Sequence, residues 1–146
     1  MTISARVEYA CVAVLELAAR SESSGPKSDE PVRIRDIAEA HGIPSRFLVQ
    51  ILLQLKGAGL VQSTRGATGG YLLARPPEQI TLADVMAVLE GPMAITSNIA
   101  VQTPATRALQ SVWQHVAETQ HAMLASTTFA DLAERLREPV EEMYHI

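Results

Sequence analysis

The stretch Ser63–Pro77, STRGATGGYLLARPP, crowds Thr64, Arg65, Gly66, Thr68, Gly69 and Gly70 together ahead of a short apolar run and a proline pair. Loops of this composition can hold phosphate, because backbone amides approach an anion closely where no Cβ intervenes. A nucleotide loop, however, needs Gly-x-x-x-x-Gly-Lys-Ser/Thr between a strand and a helix. Here Gly66 and Gly70 are followed by Tyr71 instead of Lys, and YLLAR has the character of a strand. The stretch therefore reads as a hairpin tip whose glycines supply positive φ. That accounts for the glycines. It leaves Arg65, at the lip of the turn, for a partner outside the chain.

The other reactive side chains do not assemble a catalyst. The sequence holds one cysteine, Cys11, which excludes an intrachain disulfide and a cysteine-built zinc or iron–sulfur cage within one chain. Cys11 falls on an apolar helical stripe and reads as a small buried hydrophobe in preference to a redox sensor, which stays the alternative. His115 and His121 stand six apart, not at the i, i+4 spacing of a paired metal site. No Ser/His/Asp or paired-carboxylate pattern can be singled out. No cofactor and no metal are expected, and an enzyme is not indicated.

Residues 46–57, RFLVQILLQLKG, carry a different chemistry. At about 100° per residue, Phe47, Leu48, Ile51, Leu52 and Leu55 gather on one side of a helix. Arg46, Val49, Gln50 and Leu53 face the other way. Arg and Gln pair with guanine and adenine edges, and a valine can meet a thymine methyl. Ser45, read as the helix cap, could bond a phosphate beside the helix amides. Leu53 suits neither a solvated face nor base readout.

Charge is distributed to match. The formal net charge is −4, yet residues 33–75 hold six basic side chains against two acidic ones. Residues 81–146 hold three basic against eight acidic. Contact with phosphate depends on the local field, so a basic segment in an acidic chain is compatible with DNA.

The elements that must position these residues follow from periodicity. Positions 7, 10, 11, 14, 15 and 18 form a helical stripe over 4–20. SESSGPKSDEP at 21–31 is a surface loop. A short helix over 33–41 ends at Gly42, in a left-handed conformation, before the helix over 46–57. Gly57 and Gly59 stop that helix. Strands at 60–64 and 71–75 flank the glycine loop. Thr81 and Asp84 set a capping-box pattern for a helix over 81–91. Residues 91–104 are irregular. A long helix over 105–126 carries a seam at Leu109, Val112, Trp113, Val116, Gln120 and Met123. A short helix over about 129–143 ends the chain. Two helices joined by a tight glycine turn make a helix-turn-helix, and a hairpin after the second is a wing. The expected fold is mainly α with a small β-hairpin wing: a winged helix-turn-helix plus a long dimerisation helix. Its expected parts are a DNA-binding domain at 1–90, a linker at 91–104, and a dimerisation helix with a C-terminal helix at 105–146. A long helix after a linker has little of its own domain to pack on, so Leu109, Trp113, Val116 and Met123 are expected to meet a second copy. No run of about 18 apolar residues is present, so no membrane span is expected and a cytoplasmic protein is.

YACVAVLELAAR, IRDIAEAHGIPSRFLVQILLQLKGAGLVQSTRGATGGYLLARPPEQITLADVMAVLEGP and TRALQSVWQHV together resemble the bacterial IscR/NsrR/CymR-type transcriptional regulators, the Rrf-two family, over about residues 3–132. The resemblance implies a homodimeric winged helix-turn-helix protein on double-stranded DNA. It implies that the 44–56 helix reads the major groove. It also implies that the wing places Arg65 in the minor groove, with Thr64 and Gly66 near phosphates; Thr68 completes the candidate wing set. The resemblance further implies that the first helix helps join the dimer and that the long helix crosses to the partner chain. Iron–sulfur members of this family carry three cysteines in the segment matching 91–106. Here that segment reads GPMAITSNIAVQTPAT, without Cys, His, Asp or Glu. Glu8 stands where one subgroup lends a carboxylate ligand, with no cysteines to complete a site. The sequence thus resembles the cluster-free branch. Its signal is left open: a small molecule, a protein partner, or none. The alternative reading is a winged-helix module that binds protein and not DNA, favoured by the acidic C-terminal half and by Leu53.

Overall fold

The computed structural model describes residues 2–21, 30–91 and 97–138. Helices α1 (Ala5–Ser21), α2 (Ile34–His41) and α3 (Ser45–Gly57) lead into strands β1 (Val61–Thr64) and β2 (Gly70–Leu73). A 3-10 turn at Pro77–Gln79 precedes α4 (Leu82–Glu90), α5 (Pro104–Ser126) and α6 (Phe129–Leu136). The chain is mainly helical with one antiparallel hairpin, and α2, α3 and the hairpin form a winged helix-turn-helix. Among the described residues, no helix is long and apolar enough to cross a membrane.

The core is aliphatic except for Phe129 and Met86, and lies where α1 meets α3, α4 and α6. Val7, Ala10, Val14 and Leu17 of α1 pack there with Leu48, Ile51, Leu52 and Leu55 of α3. The short α2 adds Ile37 and Ala38. Gly42 closes α2 at φ 64 and donates its N–H to the Ala38 carbonyl, so the turn into α3 uses the left-handed conformation that glycine adopts freely.

The start of α3 differs from the expectation. Pro44, not Ser45, is the cap residue, and no side-chain cap bond forms. The fixed φ of proline suits the extended cap, and the Pro44 carbonyl accepts from the amides of Phe47 and Leu48 at 3.1 Å each. Ser45 is the first helical residue. At the other end Gly57 stays helical, Ala58 is the cap, and Gly59 makes the turn at φ 79. Phe47 is a second correction. It sits at the edge of the apolar arc and is 38% exposed instead of buried with Leu48.

The C-terminal helix folds back onto the N-terminal one. Phe129 is fully buried, and α6 packs against α1. The Phe129 amide donates to the Ile80 carbonyl at 2.9 Å, and Leu82 to Thr127 at 3.0 Å. Three capping boxes fix helix starts: Thr81 with Asp84, Thr103 with Thr106, and Thr128 with Asp131. The helix expected over 129–143 ends at Leu136, and residues 139–146 lie outside the described ones.

Candidate nucleic-acid interface

The candidate residues fall into two clusters. Ser45, Arg46, Val49 and Gln50 occupy the first two turns of α3, and all are exposed. Arg46, Val49, Gln50 and Leu53 follow i, i+3, i+4, i+7, so they share one outward stripe. The buried face of α3 is held by four apolar side chains, which leaves that stripe facing away from the core. The Arg46 guanidinium lies 5.1 Å from the centre of the Phe47 ring. An exposed cation over an aromatic face gains roughly 0.5–1 kcal/mol, enough to bias the arginine's direction. Half-exposed Phe47 is therefore a platform for Arg46, a role that helical periodicity alone did not reveal.

Thr64, Arg65, Gly66 and Thr68 form the second cluster, at the exposed tip of the hairpin. The strands pair Val61 with Leu73 and Thr64 with Gly70. Gly66 takes φ 104 within the tip. A Cβ on Gly69 would lie 2.5 Å from the Thr64 carbonyl oxygen, so the loop is too tight there for any other residue. Gly70 abuts the segment before α2. A Cβ at that position would meet the Val32 carbonyl oxygen at 2.5 Å. This close approach lets Val32 and Tyr71 exchange backbone hydrogen bonds at 2.9 and 2.8 Å. Arg33 donates to the Ala67 carbonyl, tying the wing tip to the start of α2. Lys56 donates to Ser63 Oγ at 2.7 Å, tying the end of α3 to β1. The wing is thus braced on both sides, and its tip is held out.

These braces sort the basic residues of 33–75. Arg33 and Lys56 are engaged in the wing contacts, and Arg35 pairs with Glu39 at 3.0 Å. Among the described residues, Arg46, Arg65 and Arg75 make no hydrogen bond or ion pair. Arg75 was not singled out by sequence reasoning. Its guanidinium lies beside Gly59, 3.9 Å from where a Cβ there would stand, at the turn between α3 and the wing. Only the fold reveals that proximity, because Arg75 lies beyond the second strand in sequence.

The long helix presents a different surface. Not one of the 23 residues of α5 is buried. Leu109, Val112, Trp113, Val116 and Met123 are all exposed, Trp113 at 47% and Met123 at 72%. At helical spacing they form one apolar stripe.

The remaining reactive residues are inert or scattered. Cys11 is only partly buried, not enclosed as its place on the stripe suggested, yet that partial burial pushes its thiol up to about 11, with the Glu8 carboxylate adding to the effect. At pH 8 roughly a thousandth of such a thiol is ionised, so Cys11 should alkylate on the order of a hundredfold more slowly than a free cysteine. Timed reaction with iodoacetamide checks this; labelling at the free-thiol rate would contradict the burial. Among the described residues, no group of three or more His, Cys, Asp or Glu could hold a metal ion. The segment 91–106 contains none of those residue types. The donor set does not fit a thiolate-held iron–sulfur cluster.

Comparison with known proteins gives the family and the fold. Residues 3–135 match the Rrf2 family, described as an iron-dependent transcriptional regulator. A helix-turn-helix-type transcriptional regulator of Mycobacterium tuberculosis is 39% identical over 137 residues, covering 91% of this chain and 81% of the relative. The regulator CymR of Bacillus subtilis is 36% identical over 133 residues, covering 91% and 90%. The solved structure of that CymR, the global cysteine regulator of B. subtilis, superposes with a TM-score of 0.78 at 34% identity, over 92% of this chain and 98% of that one. An IscR from T. potens superposes with a TM-score of 0.75 at 32% identity, over 99% and 97%. The chain belongs to the Rrf2 family of transcriptional regulators.

Proposed function

We propose that this regulator binds double-stranded DNA in a sequence-specific way as a homodimer, on a two-fold site, without an iron–sulfur cluster. The observation that carries the reading is the pairing of an outward Arg46/Val49/Gln50 stripe with a braced wing tip bearing an unengaged Arg65. In this reading α3 enters the major groove, and Ser45 and the first amides of α3 meet a phosphate. Arg65 enters the minor groove, while Thr64, Gly66 and Thr68 lie along the backbone. Residues 1–90 supply the reading head. The stripe Leu109, Trp113, Val116 and Met123 buries against a second copy, because an apolar stripe of this size is otherwise left in water. Two heads on a two-fold site place half-site centres roughly 34–36 Å apart, or a multiple of that. The missing thiolates are the support for cluster-free action.

A salt titration tests the reading. Affinity for duplex DNA should fall linearly on a log–log plot, with a slope set by the number of phosphates neutralised. A flat response, or no binding, would favour a protein-binding winged helix, for which exposed Leu53 speaks. Base readout is tested separately. Gln50→Ala should flatten the preference at one base pair per half-site in a selection from random duplexes. An unchanged profile would remove α3 as the reading element.

A further inference from the structure

A cavity of about 500 Å³ opens between α4 and α5. This is the size of pockets that hold small ligands, about 300–1,000 Å³. Met86 and Ala87 of α4 face Ala117 and Leu124 of α5 across it, giving apolar walls. Methionine adapts its shape to irregular guests, so the wall is not committed to one outline. Gln114, Glu118 and His121 bring polar atoms to the same space.

Those polar atoms favour one sign of charge. Glu118 is the carboxylate of the lining, no Lys or Arg joins it, and with the His121 ring neutral the lining carries one negative charge. Gln114 donates its Nε2 to Glu118 Oε1 at 3.2 Å, which orients the carboxylate. Among the described residues, Glu118 Oε2 and Gln114 Oε1 have no hydrogen-bond partner. Both are acceptors only. An anion would face the carboxylate, whereas a neutral apolar guest would leave both exposed acceptors to water and gain nothing from them. A protonated amine supplies donors to both and balances the charge.

We propose that the α4–α5 cavity binds a small amphiphilic cation, with its amine on Glu118 and Gln114 and its apolar body against Met86, Ala87, Ala117 and Leu124. Glu118 is exposed, so most of the affinity comes from burying the body, and the carboxylate chiefly selects. The place matters because α4 packs against α5 on one side and against α3 on another. A guest wedged against Met86 therefore acts one helix away from the outward stripe of α3. That consequence rests on the DNA reading; the binding itself does not.

The test uses the full chain without DNA and three matched probes: 4-phenylbutylamine, 4-phenylbutanol and 4-phenylbutyrate. Titration by calorimetry should show saturable binding of the amine, the alcohol at least about fivefold weaker, and the acid weaker still. Glu118→Gln should bring the amine down to the level of the alcohol and leave the alcohol unchanged. Ala87→Trp, at an exposed position on the rim, should fill the cavity and abolish binding of all three while the circular dichroism spectrum stays native. Equal affinity for amine and acid, or an amine indifferent to Glu118→Gln, would overturn the proposal. So would the absence of binding by every probe, as expected if a second copy of the chain fills the space. Salt-dependent DNA binding succeeds or fails independently of each of these outcomes.

Discussion

Phe129→Ala should lower the free energy of unfolding by about 3–5 kcal/mol. The ring is fully buried at the first residue of α6, where its removal leaves a cavity that surrounding helices cannot close. The backbone at Phe129 and at Thr127 just before it is pinned by hydrogen bonds to Ile80 and Leu82, so the site has little freedom to collapse. Domains of this size are stable by about 5–15 kcal/mol, which makes the loss a large share of the whole. Urea denaturation followed by circular dichroism would measure it. A loss below about 1 kcal/mol would mean that α6 is an appendage and not part of the core.

Arg65→Ala should weaken DNA binding by about 1–3 kcal/mol, with the largest loss on sites that are A·T-rich under the wing. The guanidinium has no partner among the described residues, and the tip that carries it is braced by Arg33 and Lys56. Folding therefore does not depend on it, and the effect should be confined to binding. Arg65→Lys should recover the attraction to phosphate but not the preference for a narrow groove, since lysine is a strongly hydrated point charge. Fluorescence anisotropy on duplexes differing only at the wing position separates the two contributions. Equal affinity of Arg65→Ala and the parent on every duplex would refute the wing assignment and leave the α3 stripe untouched.

Local chemistry was readable in the sequence where a single residue type forces a conformation. Gly42 ends α2 in the left-handed region, and Thr81 with Asp84 starts α4, both as their residue types demand. The hairpin and its glycine tip followed from the same logic. Boundaries failed where two devices compete. Ser45 is a good cap residue, but Pro44 already provides the extended conformation and a free carbonyl, so the helix begins one residue earlier. Phe47 sits at the margin of the apolar arc, where a few degrees decide between core and surface, and the adjacent Arg46 makes the outward position favourable. The Thr128–Asp131 cap carried a legible Thr-x-x-Asp signal. Its pairing with Thr81 had none, because an isolated bridge between distant segments leaves no periodic trace. The candidate site was legible as residue types on α3 and the wing tip. The braces from Arg33 and Lys56, and the approach of Arg75 to Gly59, depend on tertiary contacts that no local pattern encodes.

The junction at Thr127–Phe129 also has a mechanical meaning. The long helix emerges from the body of the protein through a backbone weld to the start of α4, with Phe129 as the bolt beneath it. It cannot swing on a slack hinge at that end. If two copies join along it, the helix acts as a gauge block, and the distance between the two heads is a manufactured length. One base pair added between half-sites turns a head by about a tenth of a revolution on the duplex. A rigid gauge registers that as a misfit, whereas a loose arm would absorb it.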